Sequence, residues 1–124
     1  MLSIFQSHRF SQRDDYEDML ESLEQIARDM GLTGVEVRTD SGAVMKACTA
    51  LMSAPACYFS DPVPTGGSLW DFAATACLFQ VSGGVVSDVY GEPLELNRGD
   101  STYANHRGVL YATDAKIADL IRAL

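Results

Sequence analysis

The regular alternation of short apolar segments with longer helical stripes is the feature that most constrains the fold of this chain. Strands are predicted at residues 2–6, 34–38, 56–59, 85–89 and 108–112, with helices between most of them. Such alternation is typical of α/β domains, in which helices cover both faces of a sheet. We therefore expect a layered α/β domain with a mixed, largely parallel sheet flanked by helices.

Four helices are predicted from the spacing of apolar residues. The first follows Ser11, with apolar side chains recurring at helical spacing from Tyr16 to Met30. The second covers residues 42–53. The third, from about residue 69 to 81, is apolar nearly all round, which predicts burial on more than one side. The last begins after Thr113, a residue type that favours the N-cap position.

Length and charge limit the domain count and the classes of partner. The 124 residues suffice for one domain, residues 1–124, and 9 Lys+Arg against 17 Asp+Glu give a net charge of −8. An acidic chain is poorly suited to nucleic acid, whose phosphates require clustered positive charge, or to an anionic membrane surface. No apolar run approaches the roughly 18 residues of a spanning helix, and the first residues lack a signal peptide's apolar core. We expect a cytoplasmic protein with no nucleic-acid or membrane partner.

The cysteines give no sign of a disulfide framework or a zinc site. Cys48, Cys57 and Cys77 are odd in number and widely spaced, without a CxxC pair. We expect free, buried thiols in a reducing compartment. No activating group is evident for a cysteine nucleophile, although the sequence alone leaves a cysteine–histidine pair open.

Asp71 is the acidic residue with the most informative position, because it lies in the first turn of the third predicted helix. In one interpretation Ser68 is the N-cap and Asp71 completes an approximate capping box, with Asp in place of the preferred Glu or Gln. In the other, the carboxylate is held beside helix-terminal N–H groups, where a divalent cation and a phosphate could bind together. The two interpretations are compatible.

One motif is Trp70-Asp71-Phe72-Ala73-Ala74, followed by Gly83-Gly84 and by Gly91-Glu92-Pro93-Leu94. This combination resembles the carboxy-terminal half of the inositol monophosphatase superfamily, whose members are magnesium-dependent phosphomonoesterases. Gln6-Ser7-His8-Arg9 is similar to a segment of the branch that hydrolyses 3′-phosphoadenosine 5′-phosphate. Ser41-Gly42-Ala43, at a helix start, resembles the family's Gly-Ser-Ala segment. The resemblance covers nearly all of the chain but only that half of the family.

The resemblance implies a set of site residues. Asp71 would be the metal ligand that this half contributes, and Ser41, Gly42, Ala43 and His8 would lie near a small phosphate ester. The family's other metal ligands, on a Glu-Glu pair and an Asp-Pro-x-Asp-Gly-Thr loop, are absent from the sequence. Mg²⁺ is therefore implied only if another lobe or chain completes the site. Because one carboxylate is too few for metal-assisted hydrolysis, we expect no catalytic residue here and an inactive isolated chain.

Two functional interpretations follow. In the first, the chain is the carboxy-terminal lobe of a phosphomonoesterase acting on an inositol phosphate or on 3′-phosphoadenosine 5′-phosphate. In the second, it is a non-catalytic module that keeps the fold and binds a ligand or protein. The first predicts an exposed apolar surface against which an amino-terminal lobe would pack. Self-association of the chain through this surface or through the first helix is also expected. Thr75 and Val81-Ser82 depart from the family pattern, which has Gly and Glu-Ala at these positions.

Overall fold

Five strands form one sheet that carries helices on both faces. The computed structural model describes residues 1–7, 10–39, 42–60, 69–94 and 107–124. The strands are β1 (Leu2–Phe5), β2 (Val35–Arg38), β3 (Ala56–Ser60), β4 (Val85–Ser87) and β5 (Val109–Ala112). The helices are α1 (Tyr16–Asp29), α2 (Ala43–Met52), α3 (Leu69–Val81) and α4 (Ala115–Arg122). The predicted layered α/β fold is confirmed.

The sheet is mixed, with strand order β2-β1-β3-β5-β4. β1 pairs in parallel with β2 and with β3, whereas β5 pairs antiparallel with both β3 and β4. The half of the sheet built by β1 to β3 is thus parallel, and the half completed by β4 and β5 is antiparallel.

Side chains alternate between the two faces of the sheet, because successive residues of a strand point in opposite directions. Leu2, Ile4, Cys57, Phe59 and Leu110 pack on the face that α1 and α4 cover. The strand residues that alternate with these pack on the face that α2 and α3 cover. They include Phe5, Tyr58, Val109 and Tyr111. The central strands β1, β3 and β5 are therefore buried on both sides, which explains their nearly continuous apolar character, whereas the edge strands β2 and β4 are mostly half-buried.

The first helix begins at Tyr16, where its apolar pattern begins, and not directly after Ser11. Phe10–Gln12 form a short 3-10 helix, and α1 starts at Tyr16 with Asp15 at the N-cap position. The Asp15 carboxylate does not cap the helix, since it accepts hydrogen bonds from Arg13 Nε and Nη2 at 2.8 and 3.1 Å. This ion pair also lowers the pKa of Asp15.

The prediction that Thr113 caps the last helix is wrong. Asp114 is the N-cap residue of α4, and its carboxylate accepts a hydrogen bond from the Ile117 N–H at 3.0 Å. The Thr113 hydroxyl instead accepts from the Ala56 N–H at 3.0 Å and donates to the Ala56 carbonyl at 3.2 Å. Thr113 therefore joins the end of β5 to the start of β3.

The three cysteines are free, as predicted, but they differ in burial. Cys57 lies fully buried in the sheet, where burial raises the pKa of its thiol. Cys48 is partly exposed and Cys77 is exposed on α3, so the expectation of buried thiols is wrong for Cys77. None of the described helices is long and apolar enough to cross a membrane.

Candidate functional site

The carboxyl ends of the three parallel strands lie side by side at one edge of the sheet. In the pairing register, Phe5 of β1 lies opposite both Arg38 of β2 and Tyr58 of β3. From β1 the chain continues into α1 on one face, and from β2 into α2 on the other. β2 and β3 also lie on opposite sides of β1. This arrangement is a topological switch point, the place where open α/β sheets bind ligands beside the strand carboxyl ends.

The sequence-predicted substrate-binding residues follow the first two of these strands. His8 comes after β1 and Ser41 comes after β2 in the sequence, and both lie outside the described residues. Gly42 is the N-cap residue of α2, with an extended backbone (φ −85°, ψ 176°), and Ala43 is the first residue of the helix. The free N–H groups at the start of α2 therefore lie at the carboxyl edge of the sheet, where a helix start favours an anion.

Asp71 follows the third parallel strand, because it is in the first turn of α3 and α3 comes after β3. The structure describes its backbone but not its side chain, and Ser68, the predicted cap, lies outside the described residues. Among the side chains that are described, no group of three or more His, Cys, Asp or Glu could hold a metal ion. The described part of the chain therefore does not fit a complete Mg²⁺ site.

Three nitrogen-bearing side chains belong to this edge, although sequence reasoning did not select them as site residues. Gln6, just beyond β1, is 4% exposed, and its amide Nε2 is buried without a hydrogen-bond partner in the described structure. Its backbone N–H donates to the Arg38 carbonyl at 2.9 Å. The Arg38 guanidinium lies over the Phe5 ring, 5.1 Å from its centroid. Buried polar groups usually have a hydrogen-bond partner, which a water or a ligand can supply.

The third side chain is Lys46, in the first turn of α2. It is 6% exposed, and its backbone N–H donates to the Gly42 carbonyl at 2.9 Å. Lysine is rarely buried to this extent. The signal that could have found it is a single cation within the otherwise uncharged segment 43–52. Lys46, near the start of α2, and Arg38, at the end of β2, are thus two basic residues close in position to this edge of a chain whose net charge is −8.

Thr75, which departs from the family pattern, connects α3 to the sheet. Its hydroxyl lies 3.0 Å from the Tyr111 hydroxyl of β5, and both are buried. The two hydroxyls are also 3.2 and 3.1 Å from the Phe72 carbonyl oxygen. Since two hydroxyl protons serve three contacts, two of the three are hydrogen bonds at any moment. This cluster positions the first turns of α3, which include Asp71, against β5.

Asp88 stabilises the turn that contains the Gly-Glu-Pro-Leu segment. Its Oδ1 accepts hydrogen bonds from the N–H groups of Tyr90 and Glu92, both at 2.9 Å. Its Oδ2 accepts from Arg107 Nε at 2.7 Å. Burial alone would raise the pKa of Asp88, but these donors hold it below its ordinary value.

A pocket of about 300 Å³ lies on the face of the sheet that α1 and α4 cover. Its walls include Phe59 and Leu110, which belong to the cluster under α1 and α4, and its rim includes Arg13 and Arg122. Phe72 of α3 belongs to the cluster on the other face. The sheet therefore separates this pocket from the helix that carries Asp71.

Comparison with known proteins identifies partial relatives, although no family model matches the chain. It is 34% identical over 101 residues to the 3′(2′),5′-bisphosphate nucleotidase of Emericella nidulans, a match that covers 80% of this chain and 28% of that protein. With the enzyme of the same name from Schizosaccharomyces pombe it is 31% identical over 102 residues, covering 81% and 28%. The chain thus spans less than a third of these relatives.

Solved structures resemble the fold over nearly the whole chain. SaIMPase-II with bound inositol monophosphate aligns with 97% of this chain and 40% of its own, with a TM-score of 0.63 and 15% identity. The extragenic suppressor protein suhB of Bartonella henselae aligns with 98% of this chain and 40% of its own, with a TM-score of 0.58 and 12% identity. At these identities the likeness concerns the fold alone.

Proposed function

The chain is a partial member of the inositol monophosphatase superfamily that matches its carboxy-terminal portion, and we propose that it is one lobe of a Mg²⁺-dependent phosphomonoesterase. The observation that supports the proposal is the shared sheet edge at which three adjacent parallel strands end. The segments with His8, Ser41 and Asp71 each follow the carboxyl end of one of three adjacent parallel strands. This edge is where α/β sheets bind ligands.

The positive and hydrogen-bond-donating groups at this edge suit a phosphate ester. Lys46 and Arg38 supply positive charge, and the start of α2 supplies backbone N–H groups. Gln6 supplies a buried amide N–H without a partner in the described structure. We favour a nucleoside bisphosphate over an inositol phosphate as the substrate, because both curated relatives that we compared are named 3′(2′),5′-bisphosphate nucleotidases.

In this proposal Asp71 is one carboxylate ligand of Mg²⁺, and the remaining ligands come from the amino-terminal portion of the fold. Bound Mg²⁺ would supply Lewis-acid activation of the phosphate ester. Among the described side chains, no group of three or more His, Cys, Asp or Glu could hold a metal ion. In this proposal the 124-residue chain alone releases no phosphate, because one carboxylate is too few for metal-assisted hydrolysis.

The experiment measures phosphate release from adenosine 3′,5′-bisphosphate with Mg²⁺, using the chain co-expressed with the amino-terminal portion of the Emericella nidulans enzyme. The variants are Asp71→Asn and the control Asp18→Asn, because Asp71 and Asp18 are both third residues of their helices. Loss of a metal-bound carboxylate should lower the rate about a hundredfold or more, since even outer-shell partners of ligands matter 10- to 100-fold.

Two results would contradict the proposal. Equal activity of Asp71→Asn and Asp18→Asn would remove Asp71 from the site. Robust Mg²⁺-dependent phosphate release by the 124-residue chain alone would show that no second lobe is needed. If the co-expressed chain binds inorganic phosphate but cleaves none from adenosine 3′,5′-bisphosphate, the non-catalytic interpretation is correct.

A further inference from the structure

The pocket under α1 and α4 has the size and the floor of a small-molecule site. Its volume of about 300 Å³ is at the lower end of the range of such sites. The floor is apolar, because Phe59 of β3, Leu110 of β5 and Ile121 of α4 line it and are each at most 7% exposed. Side chains from both helices, two strands and the turn after β4 surround one space, which therefore suits a compact apolar group.

The charged side chains that line the pocket are all basic. Among the described residues around it, Arg13 and Arg122 are the charged ones, and neither Asp nor Glu contributes to the lining. Their side chains are 23% and 26% exposed, so both lie mostly within the protein surface. Arginine above an apolar floor is suited to an anionic head group on an apolar body, because the guanidinium binds carboxylates in a fixed geometry.

The surroundings of the two arginines favour a head group with one negative charge. Asp15 accepts hydrogen bonds from Arg13, and Asp119 accepts one from Arg122 at 2.6 Å. These two carboxylates offset much of the positive charge, which makes a doubly charged phosphate a poorer match than a carboxylate. A guanidinium has five N–H donors, so Arg122 can contact Asp119 and a ligand together.

Contacts within the protein hold the pocket walls in place. The Tyr90 N–H donates to Asp88 Oδ1 at 2.9 Å, and the Arg107 guanidinium lies 5.2 Å from the centroid of the Tyr90 ring. Gly91 gives Arg122 room beside the same turn, since a Cβ there would lie 3.4 Å from Arg122 Nη1. A ligand therefore meets a site that is already formed and loses little affinity to the ordering of side chains.

We propose that this pocket binds a small apolar monocarboxylate, with its apolar body against Phe59 and Leu110 and its carboxylate at Arg122. The site is distinct from the edge to which Asp71 belongs, because the sheet lies between the pocket and α3. The inference does not rest on the proposed phosphatase function. Its test needs neither Mg²⁺ nor an amino-terminal lobe.

The experiment is a titration of the 124-residue chain, labelled with ¹³C at the methionine methyl groups and followed by nuclear magnetic resonance. The probe is 2-naphthoate, and the controls are 2-naphthalenemethanol, which lacks the charge, and acetate, which lacks the apolar body. The Met19 methyl group reports on the pocket that Met19 lines, and the Met52 methyl group, 86% exposed on α2, reports on the other face.

We expect 2-naphthoate to shift the Met19 signal saturably, with a dissociation constant of about 1 mM or tighter, and to leave the Met52 signal unchanged. Each control compound should bind about tenfold more weakly or less.

Arg122→Gln and Arg28→Gln form a matched pair of variants. Each arginine is in the last turn of its helix and donates to a side chain three residues earlier. Only Arg122 lines the pocket. Arg122→Gln should weaken 2-naphthoate binding about tenfold, whereas Arg28→Gln should leave it unchanged, and circular dichroism checks that both variants fold.

Several results would overturn the inference. They are absence of a saturable Met19 shift, a shift of Met52 in its place, equal affinity for 2-naphthoate and either control compound, and equal affinity of the two variants for 2-naphthoate. The wild-type titration decides the matter even if Arg122→Gln does not fold. Failure of the phosphate-release experiment would refute the proposed function and leave this pocket unaffected, because the two measurements share no component except the chain.

Discussion

Replacement of Gly108 by alanine tests how tightly the antiparallel half of the sheet is packed, and Gly31 provides a matched control. Both glycines have a φ of +75°, a left-handed conformation that costs an alanine about 1 kcal/mol. A Cβ at Gly31 would meet no atom within 4 Å. A Cβ at Gly108 would lie 2.5 Å from Val89 Cγ1 and 2.7 Å from the Ser60 carbonyl oxygen.

The difference between the two variants follows from these distances. Ordinary contacts between carbon atoms are about 3.5–4.0 Å, so Gly108→Ala forces a displacement of roughly 1 Å. The Ser60 oxygen is backbone at the end of β3, and it cannot move without disturbing the sheet. Overpacking of this kind costs about 1–3 kcal/mol in addition to the backbone conformation. We expect Gly108→Ala to lower the free energy of unfolding by about 3 kcal/mol and Gly31→Ala by about 1 kcal/mol.

Urea denaturation followed by far-ultraviolet circular dichroism gives both free energies of unfolding under one set of conditions. The comparison is informative because the backbone conformation is the same at the two positions. If the variants are destabilised equally, within about 0.5 kcal/mol, the contacts around Gly108 do not have the energetic role assigned to them.

Two further predictions concern buried polar groups. Because the native pKa of Asp88 lies below its ordinary value, the stabilisation it gives is present at neutral pH and is lost as pH falls below about 4. Asp88→Asn should therefore lower the free energy of unfolding by about 2 kcal/mol at pH 7. The free energies of unfolding of the variant and the wild type should converge in acid. A difference that does not change with pH would contradict this. Tyr111→Phe and Thr75→Val should each cost about 1 kcal/mol in urea denaturation, because each removes one hydroxyl proton and leaves one of the cluster's two simultaneous hydrogen bonds. The double variant should cost about the sum, and a coupling free energy above about 1 kcal/mol would refute this count of hydrogen bonds.

The candidate site was only partly accessible to sequence reasoning. The Trp-Asp-x-Ala-Ala segment identified Asp71 by resemblance, and the helix that carries it was predicted with the observed bounds, Leu69–Val81. Gln6 and Lys46 were not selected as site residues, because a polar side chain becomes unusual only when it is buried, and burial depends on distant segments. Thr75 appeared as a departure from a family pattern, and its partner Tyr111 is 36 residues away.

The sequence by itself determined the order of strands and helices, the α/β class and the family, because helical periodicity, glycine stops and short motifs are local signals. It did not determine which side of β1 each neighbouring strand takes, or that β5 inserts antiparallel between β3 and β4. It also predicted that α3 is buried on more than one side, whereas the described fold leaves Leu78 and Val81 exposed. Such features depend on contacts between residues far apart in the chain, and only the tertiary structure decides them.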